Sequence, residues 1–447
     1  MRRPIGIDLF AGAGGMSLGF ERAGFDIVAA IEIDPVHAAV HKFNFPACEM
    51  IPKSIVGLSG EEIRQATKIG RRGVDVIFGG APCQGFSMIG HRALDDPRNN
   101  LIKEFVRIVS ELDATYFVFE NVKGLTIGQH RRFLEEVIEA FENVGYEVLL
   151  PWRVLNAAEY GVPQDRQRLF LLGAKKGKQL PNYPRRITQP ASSHDPRLPL
   201  DRSLHPGPSC WDALHDLPDP EGFSVLLHTD ETRTEGWRGR GSYARKMRCI
   251  DLEAWAFGYQ RIWDPRLLTS SMRSQHSRIS KLRFAQTDPG TVEPISRFFR
   301  LPVDGVSNTL RAGTDSARGA FTSPRPIHYA SPRCITVREM ARLHSYPDWF
   351  RFHETKWHGA RQIGNSVPPL LAEAVAGEVI KALNLKPERP QLRVALGDTE
   401  LLRLDMSQAA RYWGILVPIG KRDRKSGAKK RKQAEIEATR LSEPSYA

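Results

Sequence analysis

Cys83 is the residue best suited to covalent chemistry, and it lies in the segment GGAPCQGFS at residues 79–87. This segment directly follows an apolar run at 74–78 that is typical of a buried strand. Ligand sites of open α/β sheets lie at the carboxyl ends of strands, where a cysteine can serve as a nucleophile. The alternative is an ordinary buried thiol. The flanking glycines and Pro82 instead favour a shaped loop.

Two more segments carry groups that handle protons and anions. The run FVFENV at 117–122 ends an apolar strand in Glu120 and Asn121. A glutamate that is partly desolvated there would hold a proton more tightly, which suits it to donate or share one. The run QDRQR at 164–168 precedes another strand, and its two guanidinium groups can recognise carbonyl oxygens or phosphates. The alternatives are a solvated strand end and a surface charge pair.

A glycine-rich turn, DLFAGAGG at 8–15, closes the first predicted strand and opens a helix. Such a turn lets the backbone approach a ligand closely. Glu32 ends the next strand, where a carboxylate commonly accepts hydrogen bonds from ribose hydroxyls. We therefore expect an adenosine-type ligand. The turn is not the GxGxxG of dinucleotide enzymes because Ser17 replaces the third glycine, and it does not itself choose between NAD and S-adenosylmethionine.

A metal site is not expected. His37 and His41 have the i, i+4 spacing of metalloprotease ligands, but Ala38 stands where that chemistry requires a glutamate.

Alternating strands and helices must position these residues. The composition and periodicity predict strands at 5–10, 27–33, 74–78, 116–119, 148–150 and 169–172, and helices at 61–69, 101–112 and 131–144. Asp34 and Pro35 are typical of a helix N-cap followed by the first helical residue. The alternation predicts an α/β open sheet with parallel strands that is covered on both faces.

Composition narrows the class of protein. The 447 residues are 41% hydrophobic and 26% charged, typical of a soluble globular chain. No run approaches the ~18 apolar residues of a membrane span, and residues 1–8 lack the apolar core of a secretion signal. Five cysteines without a CxxC pair argue against a disulfide scaffold, so we expect a reducing cytoplasm. The net charge of +13 favours a nucleic-acid partner.

The regular alternation stops near residue 175. Residues 233–283 hold twelve basic and four acidic side chains with interleaved aromatics, which either contact nucleic acid or form a small core. Regular structure returns after 331, with helices predicted at 336–343 and 370–383. The run at 421–432 has eight basic residues and one acidic, typical of a solvated arm.

Taken together and in this order, the motifs resemble the DNA (cytosine-5)-methyltransferase family of prokaryotic restriction–modification systems. Two later motifs, RCITVRE at 333–339 and GNSVPP at 364–369, complete the resemblance, which covers roughly half of the chain. It implies an S-adenosylmethionine-dependent, Rossmann-like open sheet with an inserted target-recognition domain. The implied domains are the catalytic part at 1–175, the recognition domain at 176–330, the return to the catalytic domain at 331–385 and an extension with a basic tail at 386–447.

The resemblance also implies roles. Cys83 would add to carbon 6 of a flipped-out cytosine, Glu120 would contact ring N3, and Arg166 or Arg168 would hold the base carbonyl and phosphate, with Arg168 preferred for the carbonyl. The expected S-adenosylmethionine contacts are Phe10, Ala11, Gly12, Gly14, Gly15, Glu32, Ile33, Ile55, Pro82, Leu101, Asn365 and Val367. The family often has an Asp-Ile pair at the adenine, whereas this chain has Ser54 before Ile55.

The expected partner is double-stranded DNA, bound by a monomer in the cytoplasm, together with a cognate restriction endonuclease for the same site. Two alternatives remain open at this point: a transfer-RNA cytosine-5 methyltransferase, and a catalytically silent DNA-binding protein on the same scaffold. A nicotinamide dehydrogenase is more distant, because Ser17 breaks its glycine pattern.

Overall fold

The central sheet is built from the first 175 residues. The computed structural model describes residues 3–67, 69–82, 99–127, 130–191, 203–237, 239–314 and 322–417. The strands of the sheet are β1 (Ile5–Leu9), β2 (Asp26–Ile31), β3 (Glu49–Ile51), β4 (Val76–Gly79), β5 (Tyr116–Val122), β6 (Tyr146–Val148), β7 (Arg153–Asn156) and β8 (Gln167–Lys175). Their order is β3-β2-β1-β4-β5-β8-β6, and β7 also pairs with β8.

The expectation of a wholly parallel sheet is wrong. Strands β1 to β5 are parallel, but β8 runs antiparallel to β5, β6 and β7. A parallel neighbour requires a long crossover connection, usually a helix. Such helices follow β1, β2, β3, β4 and β5, whereas only short segments join β6, β7 and β8. The start of β8 therefore lies at the edge of the sheet where the parallel strands end.

Helices cover both faces of the sheet, as predicted. Those of the first part are α1 (Gly15–Ala23), α2 (Pro35–Asn44), α3 (Gly60–Thr67), α4 (Asn100–Glu111) and α5 (His130–Asn143). The predicted cap of α2 is confirmed, since the Asp34 side chain accepts hydrogen bonds from the amides of Val36 and His37. Two buried apolar clusters lie on opposite faces of the sheet, so both faces are removed from water.

The described residues between β8 and residue 337 form a less regular part of the structure. The segment after β8 contains the strands β9 (Thr188–Gln189), β10 (His205–Pro206), β11 (Thr232–Arg233), β12 (Gln260–Ile262) and β13 (Leu267–Leu268) and the helices α6 (Cys210–Leu214), α7 (Ser242–Met247) and α8 (Arg278–Gln286). It is followed by α9 (Val337–Leu343), α10 (Lys356–Asn365), α11 (Pro369–Ala382), β14 (Arg393–Ala395) and α12 (Met406–Tyr412). The two helices predicted after 331 are both present, as α9 and α11.

Several aromatics of the basic segment 233–283 serve packing. The guanidinium of Arg248 lies 3.8 Å from the ring centroid of Trp237 and 5.5 Å from that of Trp263. The Tyr259 hydroxyl donates to Asp26 on β2 at 2.8 Å. Cation–π contacts and aromatic burial hold this segment to itself and to the sheet. These three aromatics therefore take part in packing within the protein, as the small-core interpretation expects.

A buried ion network fastens the irregular segment to α9. Arg342 is inaccessible to solvent and lies 2.6 Å from Asp348 and 3.0 Å from Asp216, the latter just after α6. Its Nη1 also donates to the Ala213 carbonyl at 3.0 Å. Both carboxylates thus face one guanidinium that has no access to water.

No helix within the described ranges has the length and apolar character that crossing a bilayer would require. The basic run 421–432 lies outside the described residues.

The Arg342 network yields a stability prediction. Replacing Arg342 with alanine removes the nearest cation from two buried carboxylates, and Asp348 keeps only the longer pairs with Arg248 at 3.6 Å and Arg338 at 4.0 Å. We therefore expect the free energy of unfolding to fall by about 3–5 kcal/mol. Arg245→Ala is the matched control, because its pair with Asp251 is nearly half exposed and is worth less than about 1 kcal/mol. Urea unfolding of the two variants checks this. Equal losses would contradict the importance assigned to the network.

Candidate active site

A cavity of about 620 Å³ opens at the carboxyl ends of the parallel strands. It brings together most of the predicted site residues, which are Phe10, Ala11, Gly12, Gly15, Glu32, Ile33, Ile55, Pro82, Leu101, Glu120, Arg168, Asn365 and Val367. Two predicted residues, Gly14 and Arg166, are not among its lining residues. Cys83 and the following residues to 98 lie outside the described residues.

The glycine turn forms one wall of the cavity because its backbone is left-handed at several positions. Gly12 has φ 56° and Gly14 has φ 102°. A Cβ on Gly15 would stand 2.5 Å from the Val367 carbonyl oxygen, so the late segment that carries Val367 packs directly on the turn. Gly14 instead faces the interior, where a Cβ would stand 2.5 Å from the Phe45 ring. Gly14 therefore shapes the turn and does not line the cavity.

Glu32 joins the turn to the start of α2. One carboxylate oxygen accepts the Gly12 amide at 2.8 Å, and the other accepts the Asp34 amide at 2.8 Å. Burial raises the pKa of Glu32, and nearby His37 opposes this shift. A carboxylate has about four acceptor positions. Two acceptor positions of the Glu32 carboxylate therefore remain for a ligand in the cavity.

An apolar wall lies beyond Glu32. The Ile33 side chain lines the cavity and is 54% exposed, which leaves it available to a planar ligand group. Ile55 lines the cavity beside it and is buried. The Ser54 hydroxyl oxygen accepts the Val56 amide at 3.1 Å, so it shapes this loop and retains its own proton for donation.

Glu120 and Arg168 form the charged centre of the cavity. Glu120 lies opposite Phe170 in the pairing of β5 with β8, two residues from Arg168. Long side chains at such diagonal positions can meet, and Arg168 Nε lies 3.0 Å from Glu120 Oε1. Both side chains are about seven-eighths buried. Burial raises the pKa of Glu120, although Arg168 and Arg166 counteract it.

Neighbouring residues hold this pair against the loop that leads to Cys83. A Cβ on Gly80 would stand 2.3 Å from Glu120 Oε2, so glycine is required to make room for the carboxylate. The Asn121 side chain donates to the Ala81 carbonyl at 3.0 Å and accepts the Val122 amide at 2.9 Å. The last described residues before Cys83 are thereby fixed beside Glu120.

Arg166 does not face the cavity, contrary to the expectation that it could hold the base or a phosphate. Its side chain is fully buried and donates to the carbonyls of Leu310 at 3.0 Å, Gly364 at 2.8 Å and Ser366 at 2.8 Å. These carbonyls belong to segments distant in sequence. The arginine that precedes β8 therefore fastens the late chain to the sheet, while Arg168 inside β8 faces the cavity.

A buried polar chain beneath the glycine turn is not predicted by the sequence motifs. Ser17 donates to Asp8 at 2.6 Å, and its hydroxyl lies 3.0 Å from His41 Nε2. Burial raises the pKa of Asp8 to about 8 and lowers that of His41 to about 3. Asp8 also lines the cavity. The one sequence signal for this series of hydrogen-bonded side chains is Ser17 itself, a polar residue where dinucleotide enzymes have a glycine.

His41 thus belongs to this polar chain. No group of three or more metal-ligating side chains occurs in the part of the chain that the structure covers. Sequence reasoning also missed Lys53, Arg361 and Gln362, which line the cavity. The Arg361 guanidinium lies 5.3 Å from the ring centroid of Trp357.

Comparison with known proteins gives consistent matches. The profile of a family described as C-5 cytosine-specific DNA methylase matches residues 5–381. The chain is 57% identical over 415 residues to the type II methyltransferase M.XorII of Xanthomonas oryzae pv. oryzae, covering 93% of each. It is 34% identical over 381 residues to M1.HphI of Haemophilus parahaemolyticus, covering 84% of this chain and 86% of the relative.

A solved structure agrees with these matches. A protein described as a DNA modification methyltransferase encoded within a prophage (E. coli) has a TM-score of 0.66 and 32% identity. The match covers 86% of this chain and 100% of that one. The similarity therefore extends over most of this chain, well beyond the short sequence motifs.

The buried Asp8 gives a pH-dependent prediction. The folded protein holds the Asp8 proton up to about pH 8, whereas the unfolded chain releases it near the ordinary pKa of 3.8. Unfolding between these values releases a proton, so stability falls as pH rises, by at most about 1.4 kcal/mol per pH unit. Asp8→Asn lacks this proton and should gain stability relative to the parent protein from pH 5 to 8. Urea unfolding of both proteins from pH 5 to 8 checks this prediction. A difference in the free energy of unfolding that stays constant with pH would contradict it.

Proposed function

The chain belongs to the C-5 cytosine-specific DNA methylase family, and from this premise we propose how its cavity performs methyl transfer. It is a DNA (cytosine-5) methyltransferase. The methyl donor proposed is S-adenosylmethionine, and the acceptor is carbon 5 of a cytosine in a specific double-stranded sequence. The observation that carries the proposal is that one cavity holds both the Glu32 wall and the buried Glu120–Arg168 pair.

The donor side of the cavity fits a nucleoside. The volume of about 620 Å³ lies within the usual range for small-molecule sites. Glu32 keeps acceptor positions for ribose hydroxyls, the exposed Ile33 offers apolar surface to an adenine, and Asn365 and Val367 also line the cavity. S-adenosylmethionine supplies an electrophilic methyl group on sulfur when bound, and the proposed role of these residues is to orient it.

The acceptor side supports base activation. Carbon 5 of cytosine is a weak nucleophile, so we propose that the Cys83 thiolate adds to carbon 6 and makes carbon 5 enamine-like. Addition places negative charge on the ring, which Glu120 relieves by sharing a proton with N3. The burial that raises the Glu120 pKa favours the protonated form. Carbon 5 would displace the methyl group from the sulfonium of the donor, which would leave as a neutral thioether. Water would then accept the carbon 5 proton, and the Cys83 thiolate would leave carbon 6 to restore the ring.

Arg168 is the proposed ligand of the base carbonyl. Its Nε lies 3.0 Å from Glu120 Oε1, so both side chains can form hydrogen bonds with the same edge of one base. A ring carbon is not accessible inside the DNA stack, and the cytosine must be flipped into the cavity. Cys83, which would attack this base, follows directly on Pro82 of the cavity wall and lies outside the described residues.

We propose that residues 176–330 read the target sequence and that the enzyme acts as a cytoplasmic monomer. Support comes from the excess of basic residues in 233–283, although Arg248 and Arg261 are buried in packing and ion pairs. The proposed partner is a restriction endonuclease specific for the same site, because M.XorII and M1.HphI are named type II methyltransferases.

The two alternatives receive less support. A transfer-RNA substrate is not favoured, because the family profile and the named relatives concern DNA modification. A silent DNA-binding protein would not need a carboxylate and a guanidinium buried together beside a nucleoside-sized cavity. The DNA methyltransferase remains the function that the site supports best.

Bisulfite sequencing of plasmid DNA from cells that express the chain tests the proposal. We expect one recurrent sequence motif to contain a protected cytosine. Cys83→Ser should abolish this protection, because an alcohol is a far weaker nucleophile than a thiolate. Cys249→Ser is the control, since this half-buried cysteine is not among the residues that line the cavity, and it should retain methylation. Persistent methylation in Cys83→Ser would contradict the covalent mechanism.

A further inference from the structure

The segment after α11 packs against elements that carry residues of the donor side of the cavity. It contains β14, a 3-10 turn (Thr399–Leu402) and α12, whose N-terminus has a capping box between Asp405 and Gln408. We refer to residues 393–413 as the C-terminal strap. The family profile ends at residue 381, so the strap lies outside the region that defines the family.

The strap holds both ends of α2. The indole Nε1 of Trp413 donates to the Pro35 carbonyl at 3.1 Å, in the first turn of the helix. The Gly397 amide donates to the Phe43 carbonyl at 2.8 Å, in the last turn. A Cβ on Gly397 would stand 2.9 Å from Phe43 Cα, so the two backbones lie in direct contact. These bonds limit movement of α2 along and away from the sheet.

The strap also contacts the glycine turn. Leu401 and Leu402 are buried in one apolar cluster with Ala13 of the turn and with Ala39, Val40 and Phe43 of α2. The cluster is separate from the two main clusters of the sheet. It therefore packs the strap against both the turn and α2, and none of the cluster residues named here lines the cavity.

A third contact reaches the segment before α10. The Glu354 amide donates to the Leu402 carbonyl at 3.0 Å, and Arg403 pairs with the Glu354 side chain at 2.6 Å. Helix α10 carries Gln362 and Asn365, which line the cavity. The strap thus touches three elements that together enclose the donor side.

The position of the Glu32 carboxylate depends on two of these elements. It is held by the Gly12 amide of the turn and by the Asp34 amide at the start of α2, each at 2.8 Å. A small displacement between turn and helix breaks one of these bonds and turns the carboxylate. The Trp413 indole is hydrogen-bonded to the carbonyl oxygen of Pro35, the residue next to Asp34.

We propose that the C-terminal strap is a positioning element of the methyl-donor site, which fixes the glycine turn and α2 so that Glu32 is correctly oriented. The choice of ligand rests on the proposed function. No residue of the strap is among the residues that line the cavity. Trp413 and Leu402 of the strap are therefore positioning residues, and their loss weakens donor binding through Glu32.

Two pairs of matched variants of the full chain test this. Trp413→Phe keeps a ring and removes the hydrogen-bond donor, and Tyr412→Phe is its control because Tyr412 is 55% exposed. Leu402→Ala opens the cluster next to Ala13, and Leu416→Ala is its control because Leu416 is 93% exposed. The affinity for S-adenosylmethionine is measured by calorimetry. Hydrogen exchange of ligand-free protein is followed in peptides that cover residues 10–18 and 31–40.

We expect Trp413→Phe to raise the Kd for S-adenosylmethionine about fivefold, the equivalent of one hydrogen bond, and Leu402→Ala to raise it at least about tenfold. Exchange should quicken in both peptides, and the controls should stay within about twofold. A lower melting temperature with unchanged Kd and unchanged exchange in these peptides would overturn the proposal and leave the strap a general stabiliser. If the parent protein bound no S-adenosylmethionine, the proposed function would fail, and exchange alone would decide the role of the strap.

Discussion

Burial of the Glu120 carboxylate at the end of β5 is the constraint on which the rest of the site depends. Burial alone favours the neutral carboxyl, so a cationic partner within the cavity is needed if the group is to ionise as well as share a proton. Arg168 meets this need only because β8 runs antiparallel to β5, which brings the start of β8 to the edge where the parallel strands end. The direction of β8 thus places the guanidinium that the proposed chemistry uses.

The same edge is completed by parts of the chain that are far apart in sequence. The Arg166 guanidinium binds three carbonyls of later segments, and Gly15 lets Val367 approach the glycine turn. The C-terminal strap then closes the outside of α2. Each of these contacts joins an early element to a late one, so the cavity is complete only when these late segments have packed on the sheet.

Local chemistry explains which features could be predicted. The Asp34 cap, the glycine turn and the strand that ends in Glu120 are encoded within a few residues, and each is found where the sequence places it. The direction of β8, the burial of Arg166 and the Asp8–Ser17–His41 chain depend on partners about ten to two hundred residues away. Spacing within one segment does not carry that information. The sequence predicts a strand or short helix at 392–404, within the strap, but the contacts of the strap with α2 and the glycine turn are equally hidden.

The most direct test of the account is the single-turnover rate of methyl transfer to duplex DNA by Glu120→Gln, beside the control Glu147→Gln. Glu147 is an exposed glutamate on β6, so its variant should keep the parent rate. Glutamine cannot supply the proton of Glu120, and we expect a loss of about 100- to 10,000-fold with DNA binding retained. A Glu120→Gln rate within about tenfold of the parent would contradict the role given to the buried pair.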